Sequence, residues 1–142
     1  MSADRDTVGV TRLLEIMERL RDPERGCPWD RAQTWRSLIP FTLEEAYEVA
    51  DAIERNSGEA LREELGDLLF QIVFYAQVAS ESGAFDFESV TTGIAEKLER
   101  RHPHVFGEAR IESAEEQTLA WEEHKARERR GDGPNRSRCA GR

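Results

Sequence analysis

A run that is apolar on nearly every side constrains this chain more than any other feature. In LREELGDLLFQIVFYAQV, the residues Leu65, Leu68, Leu69, Phe70, Ile72, Val73, Phe74 and Tyr75 leave almost no polar face. A helix apolar all round is a buried helix. Yet this run carries Glu64 and Asp67 at its start, spaced i,i+3 and so on one helix face. Asp67 lies on the side of Phe74 and Val78, where an unpaired charge is costly. The segment before it, LEEAYEVADAI, holds a second i,i+3 pair, Glu45 and Glu48. Four carboxylates on two consecutive helices call for a partner, and clustered hard oxygens suit Mg²⁺ or Mn²⁺.

A plainer account competes with that one. Acidic residues are abundant, 29 in 142, and most Glu pairs on helices are solvated faces. In LEEAYEVADAI the apolar stripe reads Leu43, Ala46, Val49, Ala50, Ile53, with Glu45 on its rim and Glu48 just beyond. Glu44 and Asp51 point further out, and Glu44 is a candidate to support the site from outside the ligand set. Thr42 reads as a helix N-cap with Glu45 at the capping-box position, which gives Glu45 a purely structural alternative.

Helical signals are strong and strand signals nearly absent, so the expected fold is all-α. The periodicity predicts helices over about 8–21, 33–38, 42–55, 59–81, 87–101 and 113–130. Pro40 is read as stopping the short second segment, and Asn56-Ser57-Gly58 as the turn of an antiparallel hairpin. The expected organisation is one domain over residues 1–130 and a disordered tail over 131–142, GDGPNRSRCAGR. Apolar residues make up 38% of the chain, lean for a monomeric core but adequate for a helical protein that oligomerises. A homodimer, extending to a dimer of dimers, is expected, with Phe70, Phe74 and Tyr75 covered by the partner. The net charge of −9 disfavours nonspecific nucleic-acid binding. MSADRDTVGV lacks an apolar leader core, no run approaches a membrane span, and Cys27 and Cys139 read as free thiols. A cytoplasmic setting is expected.

A carboxylate cluster holding one or two hard cations can still take an anionic nucleotide, because Mg²⁺ commonly bridges substrate phosphates. The metal would polarise a phosphoryl oxygen and supply a water of lowered pKa. Lys97 and Arg101, spaced i,i+4 with Arg100 beside them, are candidates for the remaining phosphate charge. Basic residues in a last helical turn also simply complement the helix dipole. Trp29 and Trp35 are candidates to stack a base, although buried anchoring is the commoner fate of Trp. His102 and His104 flank Pro103, and a loop-ordering hydrogen bond suits them better than a metal. There is no Walker-type phosphate loop, no GxGxxG after a strand and no Ser/His/Asp arrangement.

These residues resemble a known family. The all-α nucleoside triphosphate pyrophosphohydrolases of the MazG type carry EExxE, a spacer and ExxD, read here as Glu44-Glu45-Ala46-Tyr47-Glu48 and Glu64-Leu65-Gly66-Asp67. RLRDPERGCPWDRAQT, PFTLEEAYEVADAI, ELGDLLFQIVFYAQ, KLERRHPHVFGE and WEEHKARER extend the resemblance to the amino-terminal MazG domain. The resemblance implies hydrolysis of nucleoside triphosphates to monophosphate and pyrophosphate, in nucleotide-pool housecleaning. It implies Mg²⁺ on Glu45, Glu48, Glu64 and Asp67, phosphate contacts from Lys97 and Arg101, and a dimer or dimer of dimers. Many members carry two such domains in tandem, and this chain carries one. The alternatives are a non-catalytic regulatory or dimerisation module, and a specialist for dUTP or phosphoribosyl-ATP.

Overall fold

The computed structural model describes residues 3–108 and 112–132. Among them are seven helices and no strand: α1 (Ala3–Leu20), α2 (Pro28–Ala32), α3 (Trp35–Glu54), α4 (Gly58–Glu81), α5 (Phe87–Arg101), α6 (Pro103–Phe106) and α7 (Ala114–Asp132). The expected all-α class is therefore observed. No helix is long and apolar enough to cross a membrane. The chain divides into two compact units, Met1–Val90 and Thr91–Arg142, the division falling within α5. The tail read as disordered lies almost wholly outside the described residues.

The first unit is built on the α3–α4 hairpin, with α1 against α4. The turn is local chemistry. Asn56 takes a positive φ of 55°, and the Ser57 N–H donates to the Ala52 carbonyl at 3.1 Å. The Ser57 hydroxyl then caps α4 by accepting from the Ala60 N–H at 3.2 Å. Gly83, at φ 76°, ends the run after α4, a conformation that costs any residue with a Cβ.

Two expectations about α3 fail together. Pro40 lies inside the helix rather than at its end, and the N-cap is Thr34, not Thr42. Thr34 and Ser37 form a reciprocal capping box that starts the helix at Trp35, so Pro40 falls in the second turn and removes the bond to the Arg36 carbonyl without ending the helix. Thr42 is a mid-helix residue whose hydroxyl lies 2.6 Å from the Tyr75 hydroxyl and 3.1 Å from Gln71 Oε1. Glu45 is thus no capping-box residue, and the structural alternative for it falls away.

The core of this unit is Met17, Leu38, Val73 and Phe74, with Leu13, Leu14, Phe70, Tyr75, Val78 and Phe87 packed on it. Phe74 is fully buried within the single chain, so its expected dependence on a partner subunit is corrected. Trp29 packs edge-on against Phe41 and Phe74, at 5.5 and 6.4 Å between centroids, and stays half exposed. Arg21 ties the proline-rich loop down: its guanidinium donates to the carbonyls of Asp30 (2.7 Å) and Gln33 (2.9 Å) and pairs with Glu81 (2.5 Å). Gly26 sits where a Cβ would meet the Leu20 carbonyl at 2.3 Å, so the loop turns only with glycine there.

In the second unit, α7 lies against the end of α5 through Arg100, Arg101, His102, Trp121 and Glu128. The Ser113 hydroxyl caps α7 by accepting from the Glu116 N–H.

Candidate functional site

The apolar stripe read from α3 is not the face that meets α4. Leu43 and Ile53 are more than half exposed, whereas Leu38 and Ala52 are fully buried. The inward face runs Leu38, Thr42, Glu45, Val49, Ala52, spaced three and four residues apart. Glu45 is therefore not on the rim of the buried stripe but within the helix–helix contact. On α4 the opposing positions are Glu64, Asp67 and Gln71, so an acidic layer sits directly beside a hydroxyl–amide layer. Gln71 is buried, and its partner is the Thr42 hydroxyl. The sequence reading missed this second layer, although its signal was present: Thr42 lies i−3 from Glu45 and Gln71 lies i+4 from Asp67.

One carboxylate oxygen from each of Glu45, Glu64 and Asp67 lies within 4.8 Å of the others. Glu45 and Glu64 are half-buried and Asp67 is exposed at the mouth. Glu48 shares the helix but its oxygens lie outside this group. It still acts on Glu45 through its charge. Glu44 is exposed. Burial, first, then contact with the Glu64 carboxyl and the charges of Asp67, Glu64 and Glu48 push the Glu45 carboxyl up from 4.5 to about 7. Glu45 Oε2 is buried without a hydrogen-bond partner. An orphaned carboxylate oxygen facing two more carboxylates is expensive unless a cation or a proton joins them. Ligand oxygens about 2.1 Å from a hard cation sit roughly 3–4 Å apart, so a small contraction of these three side chains completes a cradle. The donor set fits a hard divalent cation and suits no soft one.

Of the cationic candidates, Lys97 is half-buried on α5 and Arg101 is buried at its end. Arg101 is already paired. Its NH2 group contacts Glu128 Oε2 closely, and its guanidinium lies 5.1 Å from the centre of the Trp121 ring. Arg100 pairs with the other oxygen of Glu128 at 2.7 Å. Hydrogen bonds from Arg101 and then Arg100 hold the Glu128 carboxyl down at about 2. Glu128 went unremarked in the sequence because nothing local to WEEHKARER marks which of its acids turns inward. His102 orders its own turn, as anticipated: its Nδ1–H donates to the Leu98 carbonyl at 2.6 Å.

An all-helical hairpin with a carboxylate cluster on its inner faces defines a class of helical proteins equipped for a divalent cation. The comparisons carry this further. The pattern of the MazG nucleotide pyrophosphohydrolase domain matches residues 33–106, more than half of the chain. The chain belongs to the MazG nucleotide pyrophosphohydrolase domain family. It is 58% identical over 120 residues to a nucleoside triphosphate pyrophosphohydrolase of Escherichia coli strain K12, covering 84% of this chain and 46% of that protein. It is 50% identical over 117 residues to the nucleoside triphosphate pyrophosphohydrolase/pyrophosphatase MazG of Thermotoga maritima, covering 82% and 44% respectively. The chain thus spans about half the length of these curated relatives. The crystal structure of a MazG-related protein from Thermotoga maritima superposes with a TM-score of 0.66 at 38% identity, over 82% of this chain and 98% of that one.

Proposed function

We propose that the chain is a nucleoside triphosphate pyrophosphohydrolase that cleaves between the α- and β-phosphates, releasing a monophosphate and pyrophosphate, with duties in clearing the cytoplasmic nucleotide pool. The observation that carries this is the buried, unpartnered Oε2 of Glu45 beside Glu64 and Asp67, in a member of this family. Mg²⁺, or Mn²⁺ in its place, would be held by Glu45, Glu64 and Asp67, with Glu48 drawn in to complete the set. Bound there, the cation supplies a Lewis acid for a phosphoryl oxygen and a water of lowered pKa.

The chain's own residues do the rest. Glu45 gives up the proton that its raised pKa lets it keep near neutrality. Glu44, exposed and outside the ligand set, is free to accept a proton from the attacking water. Lys97 and Arg101 supply countercharge for the leaving pyrophosphate, and Trp29 offers a half-exposed aromatic face to a base. The exposed apolar side chains of Leu43, Tyr47 and Ile53 on α3, and Leu65, Leu69 and Ile72 on α4, support a homodimer, or a dimer of dimers, that covers them.

A second reading is a MazG-fold module that dimerises or regulates without turnover. One assay separates the two. Each common ribo- and deoxyribonucleoside triphosphate is incubated with the chain and Mg²⁺, and products are resolved by anion exchange. Monophosphate with equimolar pyrophosphate is expected. No product from any nucleotide, with metal bound, favours the module. A preference confined to dUTP marks a specialist.

A further inference from the structure

We propose that Glu128 is an internal stand-in for phosphate, and that α7 straps the arginine pair at the end of α5 shut until a polyphosphate displaces it. The inference rests on the reading of Arg101 as a phosphate-binding residue. Four observations carry it.

Arg101 keeps only 6% of its surface in contact with solvent, so no ligand reaches it as it stands. One face of α7 covers its guanidinium. Trp121 lies over its guanidinium, and two turns further on Glu128 meets its NH2 group. The cover is also the right chemistry for a stand-in. A carboxylate offers two oxygens to guanidinium donors as a phosphate does, and Glu128 spends one on Arg101 and the other on Arg100.

The closure is incomplete in a telling way. Arg101 Nε is buried and has no hydrogen-bond partner. A permanent brace would be expected to satisfy such a donor, because leaving it unmade is costly. A polyphosphate has more acceptor oxygens than one carboxylate and satisfies what Glu128 leaves open. There is a way in as well. The Arg100 side chain is 53% exposed against 7% for Arg101, so an incoming anion meets Arg100 first and takes it from Glu128 before reaching the buried partner. Binding is then opposed by the fraction of molecules that are strapped, and removing the competing carboxylate raises apparent affinity.

The test is calorimetric titration of the full chain with inorganic tripolyphosphate in Mg²⁺, using the wild type, Glu128→Gln, Arg101→Ala and the double variant. Glu128→Gln should bind about tenfold more tightly, and the gain should vanish in the double variant. In the wild type, tripolyphosphate should speed amide hydrogen exchange across residues 121–130. Equal or weaker binding by a cooperatively melting Glu128→Gln overturns the strap, leaving Glu128 as a brace. If Arg101→Ala binds as well as the wild type, the phosphate role of Arg101 fails and the strap with it. If Arg101→Ala weakens binding but Glu128→Gln changes nothing, only the strap is lost. Should Glu128→Gln not fold, exchange in the wild type decides: unchanged or slower exchange in α7 overturns the proposal.

Discussion

Glu45 and Glu64 bring their carboxyl groups together across the α3–α4 hairpin, with Asp67 completing a group whose oxygens lie within 4.8 Å of one another. Neither neighbour is a cation. Burial, together with the Glu64 contact and the surrounding negative charge, lifts the Glu45 carboxyl to about 7. The same atoms serve a proton at low pH and a cation at high pH, so the two compete for Glu45.

The metal-free protein should lose stability as pH rises. The folded state holds the Glu45 proton up to about 7, while the unfolded chain gives it up near 4.5. Between these values the folded state binds more protons, so stability falls with rising pH across that window and is flat beyond it. Glu45→Gln should flatten this slope and melt above the wild type at pH 8. Thermal melts in EDTA from pH 5 to 8 check it; an unchanged slope in Glu45→Gln would assign the effect elsewhere.

Mg²⁺ should reverse that trend. A ligand bound only by the folded form stabilises it, by about 2.7 kcal/mol at a hundred times its Kd. The rise in Tm should be larger at pH 8 than at pH 6, because the proton no longer competes. Asp67→Asn should remove most of it. An equal rise in Asp67→Asn would place the ion outside the Glu45–Glu64–Asp67 group.

What the sequence revealed, and what it hid, follows from the physics of each element. Helix periodicity and the Asn56-Ser57-Gly58 turn are local, and they were legible at the level of single turns. Pro40 misled because a proline reads locally as a stop, whereas the Thr34–Ser37 capping box upstream and the burial of Leu38 and Ala52 on either side carry the helix through it. The face of α3 misled for a different reason. Leu43 and Ile53 form the more apolar stripe, yet the chain turns Thr42 and Glu45 inward to meet Gln71 and Glu64. Periodicity finds an apolar stripe without saying which partner covers it. The acids were found because the i,i+3 spacing places them on common faces. The separate place of Glu48, and the closure of Arg101 by Glu128, depend on tertiary contacts that no local pattern carries.

Phe74 should matter to folding more than any other aromatic residue of the first unit. It is fully buried, touches Trp29 and Phe70 edge-on and lies 5.7 Å under the Arg21 guanidinium. Phe74→Ala should cost about 3–5 kcal/mol by lost burial and cavity formation. Urea unfolding monitored by circular dichroism measures it. A loss below about 1 kcal/mol would mean that the core collapses onto the gap.

The assembly should respond to a different set of positions. Leu69 and Ile72 are exposed on α4 in the single chain, at 38% and 41%, and truncating them opens no internal cavity. Leu69→Glu or Ile72→Glu should drive the proposed dimer to monomer at micromolar concentration, with helix content kept. Light scattering reads the mass directly. A wild type that is monomeric at that concentration refutes the dimer, and a dimer untouched by both variants moves the interface to another face.

Lys97 is half-buried on α5 and, among the described residues, pairs with no acidic side chain, unlike Arg101. A cation of that kind is available to a developing pyrophosphate charge. Lys97→Ala should therefore raise KM and lower kcat/KM by about ten- to a hundredfold, the ordinary range for losing one charge-assisted contact of 1.5–3 kcal/mol. The Mg²⁺-induced rise in Tm should be unchanged, because Lys97 is no part of the carboxylate group. Asp67→Asn should do the opposite, losing metal stabilisation and turnover together. Chromatography of the products completes the assignment: monophosphate and pyrophosphate from the wild type support α–β cleavage, whereas diphosphate and orthophosphate would mean attack at the γ-phosphate and a different reaction.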